Sequence, residues 1–453
     1  MLVLAAWTYV LPPEFQSVRG LNLRALHTWR GMVAPFHPGW WTTPSLETAR
    51  AVFRGLTVAG WLAYGTVVWC VFRGARFGVG WTWPLAVPLV LVLAVAMPPV
   101  LSTDVFAYVG YGRLSVVHGL NPHLHTQVEL VRLGDPTAPY LHWPIASPYG
   151  PLWTLISMAV VRLAPAGALV GPVIALKVAA GLALLGMAAA ARALVARADP
   201  GRASATFLLV ALNPLLLLEG PGSGHNDIAM MALVLAALAA LAAGRLAAAA
   251  LVLGAAAAIK LVPLALVPLL AVAVGRWAAR TGRSGVAARA AAAALSAALA
   301  LAPVAASYAP FWEGPRTLGG LGDRWGAGDP DRAVPPPTTA ASASVSAPTQ
   351  NGGRAGPSPW RGLARTWPIL LVFLWATAAV ALGQGDAVFR LATVWGVLSL
   401  AIMLFGAGMW FPWYLAWTWP VAVARFTRPH LVLTGFLLPF SLILMLAYAL
   451  PPG

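Results

Sequence analysis

The sequence has few charged residues and is poorest in acids, lysine and cysteine. Its 453 residues include 13 Asp and Glu and only two lysines, and charged residues make up 9% of the chain. A soluble globular chain is typically about 25% charged, so the composition excludes a soluble domain. The one cysteine, Cys70, excludes a disulfide scaffold and a cysteine-based metal site. The sequence contains no Walker A, HExxH or dinucleotide-binding motif, so ATPases, metalloproteases and nicotinamide enzymes have no support.

Hydrophobic residues make up 60% of the chain and fall into long runs. A helix that spans a bilayer needs about 20 mostly apolar residues. Runs of this kind lie at roughly 51–72, 78–101, 168–191, 203–218, 228–244, 246–275, 286–306, 366–383, 388–408, 409–424 and 430–450. A shorter apolar piece at 152–161 is typical of a half-span or an interfacial helix. We therefore predict an all-α polytopic membrane protein with roughly ten to twelve transmembrane helices.

The composition divides the chain into an N-terminal region (1–50), a membrane core (51–306), a loop (307–365) and C-terminal transmembrane helices (366–453). The N-terminal region begins with a brief apolar run that lacks the basic residues and cleavage site of a signal peptide, so we predict a truncated span plus interfacial segments. The core contains a loop at 102–150, rich in Tyr, His, Asn and Pro, which we predict to be ordered. The 307–365 loop becomes rich in Pro, Ala and Ser, which predicts disorder around 332–359.

The net charge of +16 comes from arginines grouped between the apolar runs, such as Arg73 and Arg76. This pattern is the positive-inside bias of cytoplasmic loops, and it lacks the basic stripe of a nucleic-acid binder. It places the loops at 102–150 and 307–365 on the outer face. The 246–275 run then has to be two short helices, in a hairpin whose tip near Lys260 approaches the outer side. We predict a multi-pass protein of the cell membrane that does not bind nucleic acid.

Three acids, Asp104, Glu219 and Asp227, lie at the outer ends of predicted membrane helices. Acids near a membrane are costly unless they are paired, so each is a candidate functional residue. Asp104 opens the segment DVFAYVGYGRL, in which Tyr108 lies on the same helical face as Asp104. The alternative is that Asp104 or its neighbours only cap this helix.

A second candidate site is the segment GPGSGHNDIAMM. Its glycines permit a tight turn, after which His225, Asn226 and Asp227 open a new helix. Helix N-termini attract anions, and an imidazole there could add a charge-assisted hydrogen bond to a phosphate. The alternative is an Asn or Asp helix cap beside an incidental histidine.

Lys260 lies in the apolar run AAAAIKLVPLALVPLL. An ammonium near a bilayer centre costs about 2.5–3.5 kcal/mol, so such a lysine is usually paired or functional. A phosphate near the His225 turn would satisfy it, and snorkelling along its own stem is the alternative. The loop at 102–150 also holds four histidines, but they lack the spacing of a known metal motif.

Taken in order, DVFAYVGYGRL, HGLNPH, SPYGPLW, GHNDIAMM and IKLVPLALVPLL resemble the polyprenyl-phosphomannose-dependent mannosyltransferases of the GT-C superfamily. These are bacterial integral membrane enzymes that include α-1,6-mannosyltransferases of lipoglycan synthesis. The resemblance covers about residues 80–275, and PWYLAW at 412–417 more loosely. It implies inverting transfer of mannose from polyprenyl-phosphate-mannose to a mannoside or glycolipid acceptor on the outer membrane face.

The resemblance also implies roles for individual residues. Asp104 would take the proton from the acceptor hydroxyl as the general base. Donor-phosphate binding falls to Lys260, His225 and Asn226, and substrate binding to Asp227, Tyr108, Tyr111, Arg113 and Tyr149. A monophosphate leaving group lets these cations replace a divalent metal, so we expect neither a metal nor another cofactor.

Two other functions remain open at this point. A transporter or flippase of lipid-linked sugars is one, although transporters usually carry internal repeats and midplane ionisable residues, and the sequence shows no repeat. The other is a transferase of the same superfamily that uses a different polyprenyl-phosphate sugar, such as glucose or an arabinose derivative.

Overall fold

The computed structural model describes residues 3, 45–99, 101–102, 104–138, 145–280, 285–318, 359–384, 386–406, 411–423 and 428–449. Within these ranges the regular structure is helical and contains no strand. Most of the N-terminal region, and the stretch predicted to be disordered up to residue 358, lie outside the described residues.

The described α-helices are, in chain order, α1 (Leu46–Phe72), α2 (Val79–Ala96), α3 (Asp104–Val116), α4 (Val128–Arg132), α5 (Pro151–Leu163), α6 (Val170–Ala198), α7 (Ala203–Ala211), α8 (Pro214–Leu217), α9 (Asn226–Ala242), α10 (Leu246–Ile259), α11 (Val267–Arg280), α12 (Val286–Tyr308), α13 (Pro359–Leu382), α14 (Ala387–Ala401), α15 (Trp419–Ala422) and α16 (Arg428–Ala449). Short 3-10 helices occupy Pro200–Arg202, Val262–Leu266, Ala309–Phe311, Pro315–Leu318 and Pro412–Trp417, and π-helical turns occupy Leu218–Gly222 and Ile402–Gly406.

Several of these helices are long and apolar enough to cross a membrane. Five described segments meet this condition: Arg50–Phe72, Val170–Ala198, Val262–Ala279, Val286–Phe311 and Ala387–Phe405. The pair Pro200–Ala211 and Pro214–Gly222, bent by 50°, counts as a sixth if it forms one span. The chain is therefore an all-α polytopic membrane protein, as predicted. The remaining apolar stretches that the structure describes, among them Trp367–Leu382 in α13 and Val432–Ala447 in α16, have 10 to 17 residues, so the count of ten to twelve stays a prediction.

The 246–275 run is broken at Lys260, as the sequence predicts. Helix α10 ends at Ile259, and Lys260 has an extended backbone with φ −153° and ψ 130°. The chain then passes through the 3-10 helix Val262–Leu266 into α11. The break puts a lysine at a helix end, where its ammonium can reach other elements.

The prediction of a span at 409–424 is wrong over the described residues. Here the chain forms a six-residue 3-10 helix, Pro412–Trp417, and then the four-residue helix α15. Neither approaches the length of a span. The hydropathy of this segment instead reflects burial inside the protein, since every residue from Pro412 to Ala422 except Thr418 is an apolar or aromatic residue in the core.

The helices surround the polar turns that precede α3 and α9. Helix α9 packs between α6 and α10, and α10 continues the contact to α12. Helix α3 packs against α5 and α6, and all of its residues from Asp104 to Leu114 are buried. The 3-10 helix Pro412–Trp417 lies against α9. The starts of α3 and α9, the end of α10 and Pro412–Trp417 thereby meet in the interior.

Candidate active site

Asp104 begins helix α3 with its carboxylate turned to the interior. The Ser102 hydroxyl accepts a hydrogen bond from the Asp104 backbone N–H at 3.1 Å. Ser102, a residue type that helix N-termini favour, therefore takes part in capping this helix. Asp104 is 5% exposed, and its Oδ2 lies 3.6 Å from Nδ1 of His225.

An irregular turn between α8 and α9 holds Glu219 and His225 together. The chain forms a π-helical turn over Leu218–Gly222, and the backbone N–H of His225 donates to the Glu219 carbonyl at 3.0 Å. Gly224 has φ +79°, and a Cβ there would lie 3.0 Å from a methyl of Val105 in α3. Only glycine fits this conformation and this close approach. Single π-turns of this kind are frequent at functional sites.

His225 lies between two buried carboxylates. Its Nε2 is 3.1 Å from Oε2 of Glu219, on the side of the ring opposite Asp104. The Trp413 ring stacks on the imidazole, with centroids 4.1 Å apart and an interplanar angle of 22°. Glu219 and His225 are both completely buried. An imidazole held in this way can carry a proton on each nitrogen and compensate both carboxylates.

The first residues of α9 continue the polar cluster. The Asn226 backbone N–H donates to the Tyr108 hydroxyl at 3.3 Å. The side-chain amide of Asn226 is buried, and neither its oxygen nor its nitrogen has a hydrogen-bond partner among the described residues. Buried polar atoms are almost always paired, so an unsatisfied amide at a helix N-terminus marks a place where a polar ligand would bind.

Lys260 and Asp227 form a buried ion pair beside this helix end. The Lys260 ammonium is 2.6 Å from Oδ1 of Asp227, and the Trp417 indole N–H donates to the same oxygen at 2.6 Å. The ammonium also lies 4.8 Å from the Tyr414 ring centroid and 5.2 Å from that of Trp417. Such cation–π contacts are favourable where water is excluded. Because Lys260 is only 6% exposed, the snorkelling alternative does not apply.

Three predicted tyrosines lie on the α3 and α5 side of the cluster. The Tyr149 ring meets Tyr108 edge-on at 4.7 Å and Tyr111 at 6.2 Å. The Tyr111 hydroxyl donates to the Ile145 carbonyl at 2.9 Å. The next residue, Gly150, donates its N–H to the Ile259 carbonyl at 2.9 Å and so fixes the start of α5 against the end of α10. Tyr108 reaches the start of α9 directly, whereas Tyr111 supports Tyr149.

The structure does not bring Arg113 to this cluster. Arg113 follows Asp104 by nine residues, about 13–14 Å along a helix axis. Its guanidinium binds both carboxylate oxygens of Asp135, with contacts of 2.9 to 3.2 Å. Burial alone would raise the pKa of Asp135, but hydrogen bonds from Arg113, Thr137 and His118 outweigh it and lower the pKa to about 2. The described contacts of Arg113 therefore hold the loop after α3, and its predicted role in substrate binding has no contact in its support.

Four residues contact the predicted site residues although the sequence assigns them no specific role: Glu219, Trp413, Tyr414 and Trp417. Glu219 is a candidate acid for which the sequence indicates no partner. It contacts His225 because of the conformation of the turn between them, which the sequence does not reveal. Trp413, Tyr414 and Trp417 lie in PWYLAW, whose aromatic density was the available signal. All three are buried, so they are not the interfacial aromatics that such a cluster usually indicates.

The described residues hold no group of three or more His, Cys, Asp and Glu side chains arranged to bind a metal ion. The cluster contains a carboxylate at Asp104 that can accept a proton, an imidazole next to it, and an ammonium that can face an anion. Proton acceptance and charge stabilisation are the two functions that a group transfer requires from its protein.

The fold is that of a polytopic membrane protein with a buried cluster of carboxylate, imidazole and ammonium side chains. The sequence profile of the MptA_B family, described as alpha-(1->6)-mannopyranosyltransferase, N-terminal domain, matches residues 20–280, more than half of the chain. The chain belongs to this mannosyltransferase family, and the resemblance drawn from its motifs is confirmed. No curated protein and no solved structure matches the chain significantly. Asp104, His225 and Lys260 lie within the matched residues, and Trp417 lies after them.

Proposed function

We propose that the chain is an inverting GT-C mannosyltransferase. It moves a mannosyl residue from polyprenyl-phosphate-mannose to a mannoside or glycolipid acceptor at the outer face of the cell membrane. The observation that supports this best is that Asp104 and Glu219 contact His225, and Lys260 contacts Asp227, at the start of α9. In a chain with only 13 acids, three buried at one point indicate a reaction centre.

Asp104 is the general base of this reaction. The acceptor hydroxyl attacks the anomeric carbon while its proton moves to the Asp104 carboxylate, and the bond from that carbon to the phosphate oxygen breaks on the opposite face. One displacement of this kind inverts the anomeric configuration. His225, 3.6 Å from Asp104, orients the carboxylate and compensates its charge before the transfer.

Lys260 and the start of α9 stabilise the leaving lipid phosphate. Its negative charge grows as the sugar bond breaks, and an ammonium in a site that excludes water stabilises such charge strongly. Asp227 and the rings of Tyr414 and Trp417 hold the Lys260 ammonium in position. The buried amide of Asn226, which has no partner among the described residues, supplies a further donor at the same helix end.

Purified protein in nanodiscs tests the proposal with polyprenyl-phosphomannose and a short mannoside acceptor. We expect a mannosylated product whose anomeric configuration, read by NMR, is opposite to that of the donor. A product of retained configuration would overturn the single displacement. Product formation only with a glucosyl or arabinosyl lipid phosphate would replace the donor and keep the mechanism. Movement of the donor across a vesicle bilayer, without any product, would replace the transferase with a flippase.

A further inference from the structure

The start of α9 carries buried polar atoms that the described residues do not satisfy. Asn226 is completely buried, and neither its Oδ1 nor its Nδ2 has a hydrogen-bond partner among the described residues. The next residue, Asp227, accepts hydrogen bonds from Lys260 and Trp417 through Oδ1, whereas its Oδ2 is buried without a partner in the same part of the chain. This helix end therefore offers one amide N–H₂ group and two acceptor oxygens to a ligand.

The phosphate of a lipid-linked sugar does not satisfy this set by itself. The free oxygens of a phosphodiester are ionised at neutral pH and only accept hydrogen bonds. The phosphate can therefore bind Nδ2 of Asn226, but it has no hydrogen to give to Oδ1 of Asn226 or to Oδ2 of Asp227, which only accept. Buried acceptors are almost always paired with an N–H or O–H group. In the proposed sugar donor, the hydroxyl groups of the sugar supply such hydrogens.

We propose that Asn226 recognises the 2-hydroxyl of the transferred mannosyl residue, an inference that rests on the proposed mannosyl-phosphate donor. The phosphate is attached to the anomeric carbon, and the 2-hydroxyl is attached to the carbon next to it. The oxygen and the nitrogen of an amide are bonded to one carbon, so the two groups that they bind lie close together. Nδ2 of Asn226 donates to the phosphate, and Oδ1 accepts the hydrogen of the 2-hydroxyl.

The contacts of the two neighbouring residues place Asn226 where the sugar reacts. The preceding residue, His225, has its Nδ1 3.6 Å from the Asp104 carboxylate. The following residue, Asp227, binds the Lys260 ammonium at 2.6 Å. The sugar has to lie between the proposed base and the proposed phosphate site, and Asn226 joins the contacts to both along the chain.

Recognition of this hydroxyl selects the sugar. Mannose and glucose differ only in the configuration at C2, and a site built to bind a hydroxyl rejects an analogue that lacks it. In glycoside hydrolysis, hydrogen bonds to the 2-hydroxyl strengthen in the oxocarbenium-like transition state, and the same bond is broken here at the anomeric carbon. Loss of the Asn226 amide therefore lowers the rate as well as the affinity. Asn226 is a specificity-determining residue of the proposed reaction.

Asn226→Ala tests the assignment with two sugar donors, polyprenyl-phosphomannose and its 2-deoxy analogue. The ratio of their kcat/KM values is compared between the variant and the wild type, so that the different intrinsic reactivities of the two sugars cancel. We expect the preference for the mannosyl donor to fall about tenfold or more in Asn226→Ala. An unchanged preference would mean that water satisfies the amide, and it would overturn the proposal.

Asn213→Ala is the matched control. Asn213 is also a buried asparagine, but its Oδ1 accepts the Leu216 backbone N–H at 3.0 Å as the cap of α8. Its loss should destabilise the protein and change the sugar preference less than threefold. Asn226→Ala should leave the melting temperature of the ligand-free protein unchanged, because the amide has no partner among the described residues. A fall in melting temperature as large as that of Asn213→Ala would mark the Asn226 amide as structural and overturn the proposal.

Asn226→Asp separates the two ends of the amide. The carboxylate keeps an acceptor for the 2-hydroxyl and loses the N–H₂ group that binds the phosphate. We expect the sugar preference to stay within threefold of the wild type, while KM for polyprenyl-phosphomannose rises about tenfold. A loss of preference equal to that of Asn226→Ala would contradict the assignment of Oδ1 to the hydroxyl.

A binding measurement separates this proposal from the proposed function. Native mass spectrometry gives the affinity of the wild type and of Asn226→Ala for polyprenyl-phosphomannose and for its 2-deoxy analogue. We expect the wild type to bind the mannosyl compound more tightly and Asn226→Ala to bind both equally. If the wild type transfers neither sugar but this difference in binding is seen, the transferase falls and the recognition stands. If the wild type transfers mannose and Asn226→Ala keeps the full preference in kcat/KM and in binding, the recognition falls and the transferase stands.

Discussion

The imidazole of His225 lies 3.1 Å from the Glu219 carboxylate through Nε2, while its Nδ1 faces Asp104 at 3.6 Å. Glu219 belongs to the π-helical turn Leu218–Gly222, which also receives a backbone hydrogen bond from His225. The contacts of the two ring nitrogens, with Glu219 and with Asp104, thereby fix one orientation of the imidazole. Glu219 acts on Asp104 through His225 and is a positioning residue in the proposed reaction.

Glu219→Gln should therefore slow catalysis and leave donor binding nearly intact. We expect kcat to fall about 10- to 100-fold, which is less than the loss of a general base costs, because Glu219 acts through another residue. KM for the donor should change less than threefold. Steady-state kinetics measure both, and Glu129→Gln, an acid that pairs with Arg132 in the loop after α3, is the control. Wild-type kcat in Glu219→Gln would remove Glu219 from the mechanism.

Lys260→Met should abolish turnover and destabilise the protein. The substitution removes the cation for the leaving phosphate and leaves Asp227 buried without its ammonium, 2.6 Å away in the wild type. Loss of one partner of a buried pair costs about 3–5 kcal/mol. The double variant Lys260→Met with Asp227→Asn should recover most of the thermal stability and none of the activity.

This pair of variants separates a structural role from a chemical one. Thermal unfolding in detergent gives the stability, and product formation from polyprenyl-phosphomannose gives the activity. Recovery of activity in the double variant would show that Lys260 only balances the charge of Asp227.

Asp135→Asn should lower the melting temperature without a large change in KM. The Asp135 carboxylate holds Arg113, His118 and Thr137, and its loss leaves a buried guanidinium without its partner, at a cost of about 3–5 kcal/mol. A rise in KM of more than tenfold would instead support Arg113 as a substrate contact.

The Asp135 carboxylate also makes the free energy of unfolding depend on pH. The pKa of Asp135 in the folded protein, about 2, is lower than the ordinary value of 3.8. The contribution of this carboxylate to stability is therefore complete above pH 3.8. The contribution is lost as the pH falls from 3.8 through 2, because the unfolded state takes up its proton first. Asp135→Asn should remove this part of the acid dependence, as measured by unfolding at each pH.

Protonation of His123 should loosen the loop after α3 at moderately acid pH. Burial disfavours the charged imidazole and lowers the pKa of His123 from 6.5 to about 4. Above pH 6.5 the ring is neutral in both states, and between pH 6.5 and 4 only the unfolded loop takes up a proton, so folding weakens as the pH falls. The protection factors of residues 119–127 in hydrogen exchange, which compare each measured rate with the intrinsic rate at the same pH, should decrease as the pH falls through this interval.

Two variants check the source of this effect. His123→Gln should remove this loss of protection, because the titrating group is gone. His125→Gln, two residues further along the same loop, should keep it. An unchanged pH dependence in His123→Gln would assign the effect to another group.

The sequence predicted where helices begin and break around the polar residues better than it predicted which side chains those residues contact. Asp104 at a helix start, the turn before Asn226 and the break at Lys260 all follow from local signals, since glycines, acids and a lone lysine interrupt apolar runs. The contact of Trp417 with Asp227 joins residues 190 positions apart. Local sequence carries no signal for such a pairing, and it depends on how the helices pack.

Hydropathy does not distinguish a segment buried in the protein interior from one that crosses the bilayer, because both environments favour apolar side chains. The described part of the segment at 409–424 is apolar and buried in the protein, where Trp413 stacks on His225 and Trp417 donates a hydrogen bond to Asp227. The predicted role of Arg113 in substrate binding lacks a supporting contact for a related reason. Its partner Asp135 lies 22 residues later, beyond the helix in which Arg113 was considered. The family resemblance is confirmed by the family match, whereas only the packing shows that Arg113 binds Asp135 and that Tyr108 contacts Asn226.

Asp104→Asn tests the central claim most directly. The amide keeps the size of the carboxylate but cannot take the proton of the acceptor hydroxyl. In a single-turnover assay with saturating polyprenyl-phosphomannose and a mannoside acceptor, we expect the rate of mannosyl transfer to fall about 10²- to 10⁴-fold. Donor affinity, measured separately by binding, should change less than threefold. Transfer at the wild-type rate in Asp104→Asn would contradict the assignment of Asp104 as the base, and with it the proposed reaction centre.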